Sequence, residues 1–246
     1  MEGRPWISAG DRPERATSAK QAGRGGQCRL LLAMTGSRSE FDRRLEAIEA
    51  RVIELFGIIA EDLPGAAGSL LGGGGEAAGV LAARERAVDA LYAEAEELAC
   101  REVVLQAPVA ADLRFLLTVL RVAPELERSH DLVMQIASGA GRIAADDLSP
   151  RASEVAGQMG ELASGMWVRA ANAWYARDRC AVSVLAECGR EMGGLHGALT
   201  GELARGQMAS PVTMEMTLIA HCYERLGAHA VNISRRVAYL AGSAPV

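Results

Sequence analysis

Aromatic residues make up only 4% of the chain, too few for the aromatic-rich strands of a β-protein. Ala, Leu, Gly and Glu dominate instead, a balance that predicts helices packed closely through small side chains. No run of about 18 apolar residues occurs, so no transmembrane helix is predicted. The N-terminal region carries arginines but only a short apolar run, Leu30 to Met34. That run is too short for a secretory core, and no export signal is visible. Lysine is nearly missing: Lys20 is the only one, which GC-rich codon usage explains better than selection for Arg. A basic excess is also missing. The net charge of -5 argues against direct nucleic-acid binding, which calls for a basic face. The five cysteines, Cys28, Cys100, Cys180, Cys188 and Cys222, show no CxxC spacing. They read as reduced thiols of a cytoplasmic protein, most of them buried as small apolar residues. No nucleophile–base pair, phosphate-cradling glycine loop or zinc signature occurs, so no enzymatic activity is expected.

What is present is helical periodicity in two sets of three. Residues 1–36 are rich in Gly, Arg, Ser and Pro, lack a sustained period and are predicted to be disordered. Met34, just before the first ordered element, suits a later start of translation. Ser39 with Asp42 three residues on is a capping signal. Phe41, Leu45, Ile48, Val52, Leu55 and Ile59 then form one apolar stripe of bundle type. Pro64 and Gly65 are predicted to end this helix, and Gly72–Gly75 to link it to the next. The second helix is predicted over about 76–104, with Val80, Val88, Leu91, Ala95, Leu98 and Val103 near one side. The third spans Ala107 to Ala137, with Pro108 at its entry and Pro124 inside it, where the lost amide hydrogen bond predicts a kink. Ser149-Pro150 is an N-cap and first-turn signal for the fourth. Val155, Met159, Leu162, Met166, Ala170 and Ala173 form its stripe. A fifth runs from Asp178 to about Arg205 and a sixth from Ser210-Pro211 to about Leu240. Trp167, Trp174 and Tyr175 read as core or dimer contacts rather than a ligand box.

Sliding the sequence by 97 residues places Glu127 on Glu224, Arg128 on Arg225, Gln135 on Asn232 and Ile136 on Ile233. The fold class expected is all-α: two tandem three-helix bundles related by an internal repeat, at 37–144 and 145–242. Glu127 and Asp131 stand four residues apart, so both carboxylates leave one helix face, and Glu85 and Asp89 do the same on the second helix. If the two helices are antiparallel neighbours, the four carboxylates converge as hard oxygen donors for a divalent or ferric ion or a small cluster. Such pairs are also common on solvated faces.

The stretches QAPVAADLR, ELERSHD and YERLGAHAVNISRRVAYLAG resemble the PhoU family of phosphate-uptake regulators, over about 41–242. The resemblance implies acidic motifs that hold metal ions or iron or zinc clusters, one per three-helix repeat. By position, the first repeat keeps Glu85, Asp89, Glu127 and Asp131. The second keeps Glu224 but has Ala228 in place of its acidic partner, and Gly189 and Gly193 on the fifth helix where acids are expected. A weaker second site from Glu224 and His229 is the remaining option. Gly189, Gly193, Gly197 and Gly201 recur every fourth residue and predict a smooth groove for a closely approaching helix. His130 replaces a small Gly, either adding a nitrogen ligand or blocking close approach. Arg128 and Arg225 are expected to neutralise neighbouring carboxylates rather than bind phosphate.

The resemblance also implies a non-enzymatic negative regulator of phosphate uptake and of the phosphate-starvation response. Its expected partners are the ATPase component of a phosphate ABC transporter and a phosphate-sensing histidine kinase, met at the cytoplasmic face of the membrane, and it is expected to be a homodimer. Two alternatives stand beside it. A ferritin-like di-iron oxidase is suggested by the Glu-x-x-His step Glu127/His130, although the second such step is missing because Gly227 follows Glu224 at that spacing. A metal-free helical scaffold is the other.

Overall fold

The low aromatic content and three-to-four-residue apolar spacing produce a helical fold across the described residues. The computed structural model describes the backbone of residues 18–72 and 76–242, with side chains from residue 38 onward except 73–82 and 145. Among the described residues there are six α-helices and one short 3₁₀ turn, and no strand. They are α1 (Ser18–Gly72), α2 (Glu76–Gln106), α3 (Ala110–Ala140), α4 (Pro150–Ala176), α5 (Ala181–Leu203) and α6 (Ser210–Leu240). The order is three helices, the 3₁₀ joint at Ala145–Asp147, and three helices.

Two of the expected boundaries at α1 are corrected. The expectation of disorder for residues 1–36 lies outside the described residues as far as residue 17, and from Ser18 the backbone is helical. No proline stands between Pro13 and Pro64, so the chain can hydrogen-bond as a helix without a break, and Ser39 lies inside it rather than capping it. The helix also runs on through Pro64 to Gly72. An interior proline costs about 3 kcal/mol, but Leu63, Ala66 and Leu70 around it are all buried. Two buried leucines contribute roughly 1.5–3 kcal/mol each, enough to offset the proline.

The chain divides into two units, residues 1–44 and 45–246. In the first, Glu40 pairs with Arg43 and Arg44, and Arg38 with Asp42, along the solvated surface of α1. In the second, one continuous core draws on all six helices. α3 packs on α2 and on α6, and α4, α5 and α6 pack on one another. Phe56 of α1 lies 6.3 Å from Trp167 and 6.0 Å from Trp174 of α4, ring centre to ring centre, so the two three-helix sets share their interior. Both Trp side chains are fully buried, as expected of core residues, while Tyr175 is exposed.

Close approach is set by glycine where helices cross. A Cβ on Gly160 of α4 would stand 2.8 Å from the Cβ of Ala67 on α1, nearer than packed side chains tolerate. The run on α5 behaves otherwise. Gly189 meets Val231 of α6 at 3.1 Å, but Gly193, Gly197 and Gly201 have nothing within 4 Å. The predicted groove for an approaching helix is therefore filled only at Gly189, because the other three turn away from α6.

The start of α4 is built as its sequence predicts. Ser149 caps it by accepting from the Ala152 amide at 3.1 Å, and Pro150 occupies the first turn. The Ser149 hydroxyl also donates to buried Glu202 at 2.9 Å, which ties the head of α4 to the tail of α5. α3 runs as one helix through Pro124. The cysteines correct their expectation: of the four described, Cys100 and Cys180 are exposed, Cys188 is half-buried and only Cys222 is buried. Cys100 sits on the outer face of α2 and Cys180 just before α5, positions that the core does not cover.

Candidate functional site

α3 and α6 carry the two copies of the repeated motif, and they pack antiparallel. Arg142, just beyond the end of α3, reaches Glu215 at 2.8 Å, Gln135 accepts from the Cys222 thiol at 3.6 Å, and Ser129 meets His229 at 2.8 Å. The register brings ELERSHD against YERLGAH, so the two motifs share one seam. There a cavity of about 400 Å³ is lined by Glu125 and Arg128 from α3 and by Glu224, Arg225, Ala228, His229 and Asn232 from α6.

His229 is the centre of this seam. It is 7% exposed, and its Nδ1 faces the Ser129 hydroxyl at 2.8 Å and a Glu125 carboxylate oxygen at 3.8 Å. The Ser129 hydroxyl donates to the Glu125 main-chain carbonyl, so it accepts from an Nδ1–H and selects that tautomer. Burial, aided by the guanidiniums of Arg225 and Arg128, pushes the imidazole down to about 4, so it is neutral at pH 7. Burial also holds Glu125 above the usual carboxylate range, opposed by its hydrogen bond with Asn232 and by Arg128, Arg236 and Arg225. Arg128 and Arg225 thus ease the charge on the partly buried Glu125.

The first-repeat carboxylates face a different side of α3, toward α2. Burial raises Glu127 above its ordinary range, with Asp131 and then Asp89 adding to the shift. Burial is also the main cause at Asp131, with Asp89 and Glu85 adding to it while His130 opposes it. The structure therefore brings Glu85, Asp89, Glu127 and Asp131 into one electrostatic neighbourhood across α2 and α3. Glu85, Asp89 and Asp131 are solvent-exposed and Glu127 half-buried.

His130 is buried at 1% exposure, and its Nε2 turns to Asp62 of α1 at 3.5 Å. Asp62 in turn accepts from Arg84 of α2 at 2.6 Å. The ring is thus committed to a contact linking α1, α2 and α3. Glu127 and His130 do not work as a Glu-x-x-His ligand step, because one feels the α2 acids while the other faces α1. This removes the basis of the di-iron alternative.

In the second repeat Glu224 and His229 line the same cavity, but their contacts diverge. Glu224 lies 3.5 Å from His221 Nδ1, whereas His229 turns its Nδ1 toward α3. The metal-capable grouping among the described residues is His196, His221 and Glu224, whose ligand atoms all lie within 4.8 Å of one another. Sequence reasoning missed both histidines. The step His221-x-x-Glu224 is legible as a one-face pair on a helix; the contribution of His196 is not, because it depends on how α5 lies against α6.

Residues 42–140 match the PhoU domain model. The chain is 30% identical over 205 residues to the phosphate-specific transport system accessory protein PhoU homolog of Zymomonas mobilis, covering 82% of this chain and 86% of that protein. The fold matches the crystal structure of the phosphate transport system regulatory protein PhoU from Streptococcus pneumoniae with a TM-score of 0.76 at 23% identity, covering 84% of this chain and 99% of that one. PhoU from Pseudomonas aeruginosa gives the same TM-score at 21% identity, over 81% of this chain and 98% of that structure.

Proposed function

The chain belongs to the PhoU family, and from that premise we propose that it is an accessory regulator of a phosphate-specific transport system. It restrains phosphate uptake and the phosphate-starvation response when phosphate is plentiful, and it does so by binding rather than by catalysis. It works at the cytoplasmic face of the membrane, between the ATPase component of a phosphate ABC transporter and a phosphate-sensing histidine kinase. The observation that carries this reading is that the likeness to a named accessory protein extends across both three-helix sets. No described helix is long and apolar enough to cross a membrane, which fits a partner-recruited role. Val104, Leu105 and Val109 stand exposed around the α2–α3 turn and offer apolar area to a partner or to a second copy in a homodimer.

Deleting the gene is expected to derepress phosphate-starvation genes in high phosphate, and re-expression of this chain to restore repression. Unchanged transcript levels in the deletion strain would sink the regulator reading.

The first repeat is the place for the metal that the family resemblance implies. Its donors fit in kind, since Glu85, Asp89, Glu127 and Asp131 are all hard oxygen ligands and burial and mutual repulsion raise two of them above their ordinary protonation range. No three of the four gather within 4.8 Å, so ion binding has to draw them together. A di- or trivalent cation, iron included, would neutralise that repulsion and cross-brace α2 and α3. Elemental analysis of untagged protein is expected to show less metal in Asp131→Ala than in the wild type; equal content would rule the site out.

A further inference from the structure

α5 and α6 lie antiparallel, with Gly189 against Val231 and Met192 against Gly227. Carried one turn further, this register sets His196 opposite His221 and Glu224. His221 and Glu224, three residues apart, leave one face of α6. We propose that these three side chains bind a single borderline transition-metal ion of the Zn²⁺ class, bridging α5 and α6.

The donor set argues for that class. Two imidazoles and one carboxylate suit Zn²⁺ and its neighbours, while Mg²⁺ and Ca²⁺ favour oxygen alone. The spacing agrees. Ligands around a tetrahedral ion with bonds near 2.1 Å stand roughly 3.4 Å apart. The His221–Glu224 pair is already at 3.5 Å, and the remaining separations of up to 4.8 Å close by rotation about side-chain bonds. The ligands are free to respond, since His196 and Glu224 are half-buried and His221 is 57% exposed. Three protein ligands leave a coordination position for water or for a donor from another molecule. Gly193, one turn before His196, has open space where a side chain would stand, so no side chain at that position crowds the ligands.

Of the second-repeat positions at which the family resemblance places acids, only Glu224 takes part. Gly189, Gly193 and Ala228 have no donor to offer. The site is thus a different ligand set from the carboxylates of the first repeat, and it is independent of the transport reading.

The test is calorimetric titration of Zn²⁺ into metal-free, untagged full-length protein, with the visible spectrum of the Co²⁺-loaded protein as a second readout. One equivalent that depends on His196 and His221 is expected, separate from any Zn²⁺ taken up by the first-repeat carboxylates. His196→Ala and His221→Ala should each weaken it by at least about tenfold, the loss of one good ligand. Asp131→Ala should leave this equivalent in place. His221 is largely solvent-exposed, so its replacement leaves the packing intact, as helical circular dichroism will verify. Equal Zn²⁺ affinity in wild type, His196→Ala and His221→Ala, or no saturable Zn²⁺ binding by the wild type, overturns the proposal.

Discussion

α3 and α6 are the same helix twice, 31 residues each, yet they present different donor groups. α3 keeps Glu127 and Asp131 and faces two more acids on α2. α6 keeps Glu224 alone and gathers histidines around it, one from its own face and one from α5. The difference teaches that the fold depends on one side of each helix and tolerates change on the other. Leu126, Val133 and Ile136 of α3, like Leu226, Ala230 and Ile233 of α6, are all fully buried. Glu85, Asp89, Glu127, Asp131 and Glu224, with His196 and His221, ring this shared interior and are exposed or half-buried, so they carry little of its packing.

The comparison breaks most sharply if the two three-helix sets prove independent. Trp167→Ala removes a fully buried ring that stacks near Phe56 of the first set. We expect a loss of about 3–5 kcal/mol and a single unfolding transition in urea. Two transitions, with only the second half destabilised, would show that the sets do not share a core. The cost should sit at the upper end if the ring is rigidly packed, and lower if Phe56 and Trp174 can close over the gap.

The second largest effect contrasts two glycines. Gly160→Ala drives a methyl into Ala67 and should cost about 2 kcal/mol. Gly193→Ala enters open space and should stabilise by roughly 0.5–1 kcal/mol through helix propensity. Thermal melts of the two variants should therefore move in opposite directions. A destabilised Gly193→Ala would mean that α5 is covered there.

The smallest effect concerns the seam between the two motifs. His229 has a native value near 4 against an ordinary 6.5, so the unfolded chain binds more protons between these values. Stability from the neutral ring is complete above pH 6.5 and is lost as the pH falls toward 4. The full shift corresponds to about 3 kcal/mol; the ring borders a water-accessible cavity, and about half of that is expected. Glu125, raised in the folded state, acts in the opposite direction, so the measurement is the difference between wild type and His229→Asn across that pH range. A difference that stays constant with pH would show that the ring is not held neutral by the seam.

The helices themselves were legible because apolar spacing, proline and serine signals are local. Ser149-Pro150 opens α4, and the stripe from Val155 to Ala173 is buried apart from half-buried Leu162. Pro64 was misread because a local breaker was weighed without the tertiary burial of Leu63 and Leu70. The acids on α2 and α3 were legible as pairs, since a four-residue step is a property of one helix.

What sequence by itself determined is the all-α class, the order of six helices, the internal repeat and which carboxylates leave which helix face. Only the tertiary structure decided that the two motif copies meet in one seam, that His130 turns to Asp62 and His229 to Ser129, and that His196 joins His221 and Glu224. The reason is physical: periodicity within a helix follows from backbone geometry. Which residues of two distant helices touch is settled by how glycines and large side chains interlock between them. The register of Gly189 on Val231 and Met192 on Gly227 is where that decision was made for the second repeat.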